Sequence, residues 1–238
     1  MEAERQTSGT QLSRRAAFGA IGAAAAAVAA ACGDSQTSPS SVDTTSGSTT
    51  TSTNATCAVT PSETAGPYPS RTDMFRSDIR ENRSGTALNL TIKVVNVNNG
   101  CAAVSGADVE IWHCDAAGDY SQYGSQTAAT FLRGIQTTNA SGEVTFTTIY
   151  PGWYQGRATH IHAEVTMSGR SIKVTQMAFP ESVNNTVHAT GVYASRGSNP
   201  TNNASDGIFA DSLASELVTP TGSPSGGYAA TFQIGIAV

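Results

Sequence analysis

Charge is scarce in this sequence: 13 Lys and Arg and 18 Asp and Glu make up only 13% of its 238 residues, and the formal net charge is −5. So few cations cannot build the basic face that phosphate neutralisation needs, which excludes nucleic acid as an expected partner and argues against adhesion to an anionic membrane surface. The strong helix formers are sparse too, with two Lys, six Leu and nine Glu, so a helical bundle is not expected. Histidine occurs four times in the whole chain. The longest apolar run, sixteen mostly alanine residues from Ala16 to Ala31, is short for a membrane span. What the chain does hold is 23 Gly and 39% hydrophobic residues, which shifts the expectation to β structure.

That composition averages three segments. In residues 1–32 a polar stretch leads through Ser13-Arg14-Arg15 into the alanine-rich run and ends at Cys32. A charged start, a short apolar stretch and small residues before a cleavage point predict an export signal, and the paired arginines resemble a twin-arginine signal. Ala29-Ala30-Ala31-Cys32 is similar to a lipoprotein cleavage box, so a membrane tether through lipidated Cys32 and a cell-surface, periplasmic or secreted location are expected. Residues 33–56 contain 15 Ser or Thr among 24, too polar to offset their own ordering entropy, and are expected to be a disordered tether. The folded domain is therefore placed at 57–238.

Export fits the cysteine usage. The domain holds Cys57, Cys101 and Cys114, an odd number for an oxidising compartment. Cys101 and Cys114 flank an expected strand at 107–113 and should lie too far apart to bridge. Cys57–Cys101 is the preferred pair, tying down the N-terminal segment, with Cys114 free and buried.

Strands are expected over 88–95, 107–112, 143–149, 159–165, 172–179 and 229–238, separated by Gly, Asn, Ser and Pro, with a hairpin turn at Asn139-Ala140-Ser141-Gly142. No helical stripe exceeds two turns and no fixed-period repeat occurs. The expected fold is an all-β antiparallel sandwich of about six to nine strands, transthyretin-like in its turn spacing. On that basis alone the chain reads as an extracellular binding sandwich, since a corner tyrosine is commonly structural.

Thr159-His160-Ile161-His162-Ala163-Glu164 changes the balance. Side chains two apart on a strand share a face, so His160 and His162 project together, close enough for one metal ion. Imidazole suits zinc, copper, iron or nickel, so the remaining ligands decide. Glu164 shares the face and would complete a two-histidine-one-carboxylate ferrous or zinc site. Tyr120 and Tyr154 offer another completion, because phenolates are hard anionic donors that favour ferric iron.

The order Gly118-Asp119-Tyr120, Pro151-Gly152-Trp153-Tyr154, Arg157, His160-Ile161-His162 and Gln176 resembles the intradiol ring-cleavage dioxygenases, the family of protocatechuate and catechol dioxygenases. Thr64 to Pro69 and Arg76 to Arg80 are similar to the segment preceding that domain in exported members, so the resemblance covers about residues 57–238. It implies one mononuclear non-haem Fe³⁺ ion ligated by Tyr120, Tyr154, His160 and His162, with a solvent hydroxide as fifth ligand. It implies that a catechol or hydroxyquinol chelates there, displaces Tyr154, and is opened by O₂ between its hydroxylated carbons to a muconate-type diacid. Arg157 and Gln176 would stabilise negative charge on the substrate, and Tyr68 would line the pocket.

The sequence departs from the family in three places. Only Gln155 and Gly156 separate Tyr154 from Arg157, which shortens the pocket rim, and Ala178 stands where an aromatic residue is common, which should widen it. No helical domain precedes the sandwich, so the dimer linker of catechol dioxygenases is expected to be absent. His113 and His188 are expected to be structural or exposed.

Overall fold

A computed structural model describes residues 57–238. The export signal with Cys32 (1–32) and the tether (33–56) lie outside the described residues. Among the described residues, β1 (Ala87–Asn96), β2 (Ala102–Ala103), β3 (Asp108–Trp112), β4 (Arg133–Thr137), β5 (Glu143–Ile149), β6 (His160–Met167), β7 (Arg170–Ala178), β8 (Thr221–Ser223) and β9 (Gly227–Ile236) form two sheets. Helix α1 (Glu181–His188) and the single turn α2 (Leu213–Glu216) follow β7.

One sheet runs β4-β3-β6-β7, and the other runs β2-β1-β9-β8 with β5 also on β1. Period-two alternation builds the core between them. Leu88, Leu90, Ile92 and Val94 from β1 and Tyr228, Ala230, Phe232 and Ile234 from β9 face Val109, Ile111, Ile161, Ala163 and Val165. Among these nine strands the pairings are antiparallel except β1 with β9, which run parallel. That exception is a long-range choice, made by two strands more than a hundred residues apart in the chain.

Two local expectations change. Asn139 does form a tight turn, its side chain accepting from the Ser141 and Glu143 amides at 2.8 and 3.0 Å, but β4 and β5 belong to different sheets. The turn is an arch between sheets and not a hairpin; Gly142, at φ +74°, lies so close to β1 that a Cβ would stand 2.6 Å from the Val94 carbonyl. The strand β4 was not legible, because Arg-Gly-Ile-Gln-Thr holds only two β-branched strand formers, interrupted by three polar or β-breaking residues. The β6–β7 connection is a true two-residue hairpin, with Ser168 and Gly169 both at positive φ.

The segment before β1 is a belt. Cys57 and Cys101 are disulfide-bonded at its start, and Cys114 is a buried free thiol. The Thr60 amide donates to Gly235 of β9 and the Glu63 amide to Val174 at the β7 edge. The chain then crosses the outer face of the four-stranded sheet, pairs through 74–76 with Ile135 at the β4 edge, and through 77–79 with Thr147 of β5. Both open sides of the sandwich are thereby covered, which protects edges that would otherwise template association.

Candidate metal centre

β6 places Ile161, Ala163 and Val165 in the core, so His160 and His162 stand on the outer face under the belt. Antiparallel register sets His162 opposite Trp112 on β3 and Gln176 on β7, and Arg133 of β4 opposite Trp112. One row across the sheet therefore reads Arg133, Trp112, His162, Gln176. The Trp112 indole stacks on His162 with centroids 4.9 Å apart and planes 2° apart, which fixes the plane of the imidazole.

The two imidazoles meet with Nε2 atoms 3.1 Å apart. His160 Nδ1 lies 2.6 Å from the Ala158 carbonyl. A carbonyl only accepts, so Nδ1 carries the proton and Nε2 presents a lone pair. Burial, reinforced by the Arg157 charge, pushes His160 down to about 3. Burial and the His160 neighbour push His162 well below its ordinary value. Both rings are neutral at physiological pH, the form that binds metals.

The tyrosines arrive on loops. Tyr120 follows a turn held by Asp115, whose side chain accepts from the Ala117 and Asp119 amides at 2.9 and 3.0 Å. Tyr154 follows Gly152, and the two loops press together there: a Cβ on Gly152 would lie 2.2 Å from the Asp115 carbonyl. The Tyr154 ring is 5.7 Å from that of Tyr120 and 5.6 Å from His160. Tyr68, on the belt, stacks on Tyr120 at 4.6 Å. Gly66, at φ +69°, comes so near the site that a Cβ would be 3.0 Å from His162 Cε1. The belt thus forms one wall of the centre.

Arg157 and Gln176 meet beside these rings. Arg157 Nη2 donates to Gln176 Oε1, while Gln176 Nε2 donates to the Thr64 carbonyl at 2.8 Å. Arg157 Nε donates at 2.9 Å to Asp206, which is fully buried. Burial raises the Tyr154 phenol, and the charge and hydrogen bond of Arg157 oppose that rise.

Tyr120, Tyr154, His160 and His162 are therefore brought together, with Arg157, Gln176 and Tyr68 around them. Their chemistry fits a hard trivalent cation. Tyr120 Oη and His162 Nδ1 are buried without hydrogen-bond partners, and burial holds the Tyr120 phenol well above its ordinary value. Such a phenol ionises only if a cation replaces its proton. Glu164 is not part of this set: it faces Glu110 across the β3–β6 pair and lines a separate cavity with Asp73 and Phe75. Among the described residues, no three His, Cys, Asp or Glu side chains converge to hold a metal.

A cleft of about 120 Å³ lined by Tyr68, Asp119, Tyr120 and Tyr123 opens on the Tyr68–Tyr120 side of the set and does not include Tyr154, His160 or His162. The larger cavity, about 590 Å³ at Gly85, Thr190 and Val192, includes none of the predicted site residues. The widening expected at Ala178 does not occur, because Phe209 packs against Ala158 and Ala178 and fills that space. His113 and His188 are both buried and hydrogen-bonded. Sequence reasoning missed Trp112, Arg133 and Asp206. Trp112 and Arg133 become visible only once register is known, and Asp206 sits in a loop without any local signal.

The dioxygenase family model matches residues 61–196 of the chain. An intradiol ring-cleavage dioxygenase from Tetranychus urticae is 31% identical, with 76% of this chain and 95% of that chain covered and a TM-score of 0.71. The dioxygenase domain of a dioxygenase carbohydrate-binding protein fusion from Streptomyces sp. SirexAA-E is 27% identical over 76% of this chain and 99% of that one, with a TM-score of 0.59. Hydroxyquinol 1,2-dioxygenase from Pseudomonas putida DLL-E4, 16% identical over 76% of this chain and 67% of that one, shares the fold at a TM-score of 0.57. The chain belongs to the intradiol ring-cleavage dioxygenase family. It is an oxygen-incorporating, ring-opening enzyme.

Proposed function

We propose that Tyr120, Tyr154, His160 and His162 hold one ferric ion, and that the enzyme opens a catechol or hydroxyquinol with O₂ to a muconate-type diacid. The observation that carries this reading is the pair of neutral imidazoles meeting at 3.1 Å beside a buried phenol without a partner. A ferric ion there would draw electron density from a chelated catechol and make its ring reactive toward O₂. The overall change balances without an external reductant: the carbon–carbon bond between the hydroxylated carbons breaks, and both atoms of O₂ end in the two carboxyl groups.

The chain's own residues supply the rest. Tyr154, partly exposed where Tyr120 is buried, is the donor that, held as a phenolate, would be free to swing aside and take a proton from the incoming catechol. Arg157 is a fixed cation beside the site that offsets negative charge on the bound substrate. Gln176, tied to both Arg157 and the belt, keeps that cation aimed. Tyr68 and Tyr120 form a stacked wall against which a flat ring can lie.

Tyrosinate-to-ferric charge transfer colours such a centre burgundy, so the iron-replete chain is expected to absorb broadly in the visible. Tyr154→Phe should shift or bleach that band, and Glu164→Gln should leave it unchanged. A colourless iron-loaded chain, or one that consumes no O₂ with catechol or hydroxyquinol, overturns the proposal. Export and tethering through Cys32 belong to the same reading. Incorporation of a labelled fatty acid that Cys32→Ser abolishes is the expected result.

A further inference from the structure

We infer that Asp206 is a positioning residue for the ring-opening reaction, holding Arg157 through its side chain and His160 through the Ala158 backbone. This inference rests on the ferric reading above. Asp206 lies outside residues 61–196, the stretch matched by the dioxygenase family, so it adds a part to the site that the family match does not include.

The carboxylate is fully buried and every contact on it is directional. Its Oδ2 accepts from Arg157 Nε at 2.9 Å and from the Ala158 amide at 2.6 Å, and its Oδ1 accepts from the Ile208 amide at 2.8 Å. The Arg157 fork is therefore tied at two nitrogens, Nε to Asp206 and Nη2 to Gln176. A planar guanidinium held at two nitrogens by different partners cannot rotate, and its charge stays beside Tyr154. The Ala158 contact reaches a metal ligand in one further step, because the carbonyl of that residue accepts from His160 Nδ1. One buried carboxylate thus sets the direction of the cation and of an imidazole.

The rest of the segment supports the same pair. Asn199 Nδ2 donates to the Arg157 carbonyl at 2.9 Å. The Phe209 ring lies 5.8 Å from the Arg157 guanidinium carbon and 6.3 Å from the His160 ring. Residues 199–209 act as a back plate behind Arg157 and His160, filling the space that Ala178 leaves.

The test uses the full iron-loaded chain. Asp206→Asn keeps the side-chain shape but removes the charge and one acceptor. With charge-transfer absorbance per iron retained, kcat is expected to fall roughly 10- to 100-fold, with a smaller change in KM, since displacement of a positioned group costs that much. In an Arg157→Ala background, Asp206→Asn should have a clearly smaller effect than in the wild type, the remainder being its hold on His160 through Ala158. An Asp206→Asn enzyme within twofold of wild-type kcat, or effects of the two substitutions that simply multiply, overturns the inference. If Asp206→Asn does not fold, the wild-type chain decides by NMR. The Arg157 Nε–H signal, assigned by its loss in Arg157→Lys, is expected to exchange slowly with water, and exchange as fast as in a free arginine side chain overturns the inference. A wild-type chain without the charge-transfer band overturns the ferric reading and this inference together, whereas a band with a neutral Asp206→Asn overturns this inference alone.

Discussion

Replacing His113 probes how the fold secures the loop that carries Tyr120. His113 stands at the exit of β3, is 1% exposed, and joins the two sheets through Thr148 of β5. Its Nδ1 lies 2.9 Å from the Cys114 carbonyl and its Nε2 lies 2.8 Å from Thr148 Oγ1. The carbonyl can only accept, so Nδ1 holds the proton and Nε2 accepts from the threonine hydroxyl. Burial pushes this imidazole down to about 4 from an ordinary 6.5. The folded pKa is depressed, so the unfolded chain binds the proton first as pH falls. The stability His113 contributes is complete above pH 6.5 and is lost as pH falls through 4. Linkage makes the loss about 2 kcal/mol between pH 7 and pH 5, and about 3 kcal/mol by pH 4. Urea unfolding of the metal-free full chain at pH 7, 6 and 5 measures it. His113→Gln should be about 1–2 kcal/mol less stable at pH 7, for lost hydrogen bonding and packing. It should then lose about 2 kcal/mol less than wild type on going to pH 5, so the two stability curves converge. His113 is the weakest of the influences on His160 and His162, so their own titration nearly cancels in the comparison. Parallel curves, agreeing within about 0.5 kcal/mol, would refute this account of His113.

The Cys57–Cys101 bond spans a sequence separation of 44, so Cys57→Ser should lower stability by about 4 kcal/mol on the chain-entropy account; calorimetry giving under about 1 kcal/mol would mean the belt is held without it. Gly152→Ala drives a Cβ to 2.2 Å from the Asp115 carbonyl and should cost about 1–3 kcal/mol or more. Because the clash parts the Tyr120 and Tyr154 loops, visible absorbance should fall with the melting temperature, and a native melt with full colour would contradict the packing argument. Gly66→Ala puts a side chain at φ +69°, 3.0 Å from His162 Cε1. It should cost about 1 kcal/mol in backbone strain and speed iron loss to a chelator, and retention equal to wild type would show that the belt does not bear on His162.

Alternation written in single strands made β1, β3, β5, β6, β7 and β9 legible, because burial of one face imposes period two on each strand independently. The same local rule put His160 and His162 on one face. Between strands the rule fails. Arg-Gly-Ile-Gln-Thr becomes β4 because Ile135 pairs with Glu110 on one side and with the belt on the other. Asn139 to Gly142 has the chemistry of a hairpin turn, yet its arms go to opposite sheets, since the turn fixes a reversal and not the partner. By itself the sequence determined which residues alternate, which histidines share a face, and the order of the donors along the chain. Only the tertiary structure decided that Trp112 stacks on His162, that Gly66 closes over it, and that Asp206 reaches Arg157 from 49 positions away. Those contacts follow from register and from loops meeting in space, where shared burial selects the partner and no local period records it.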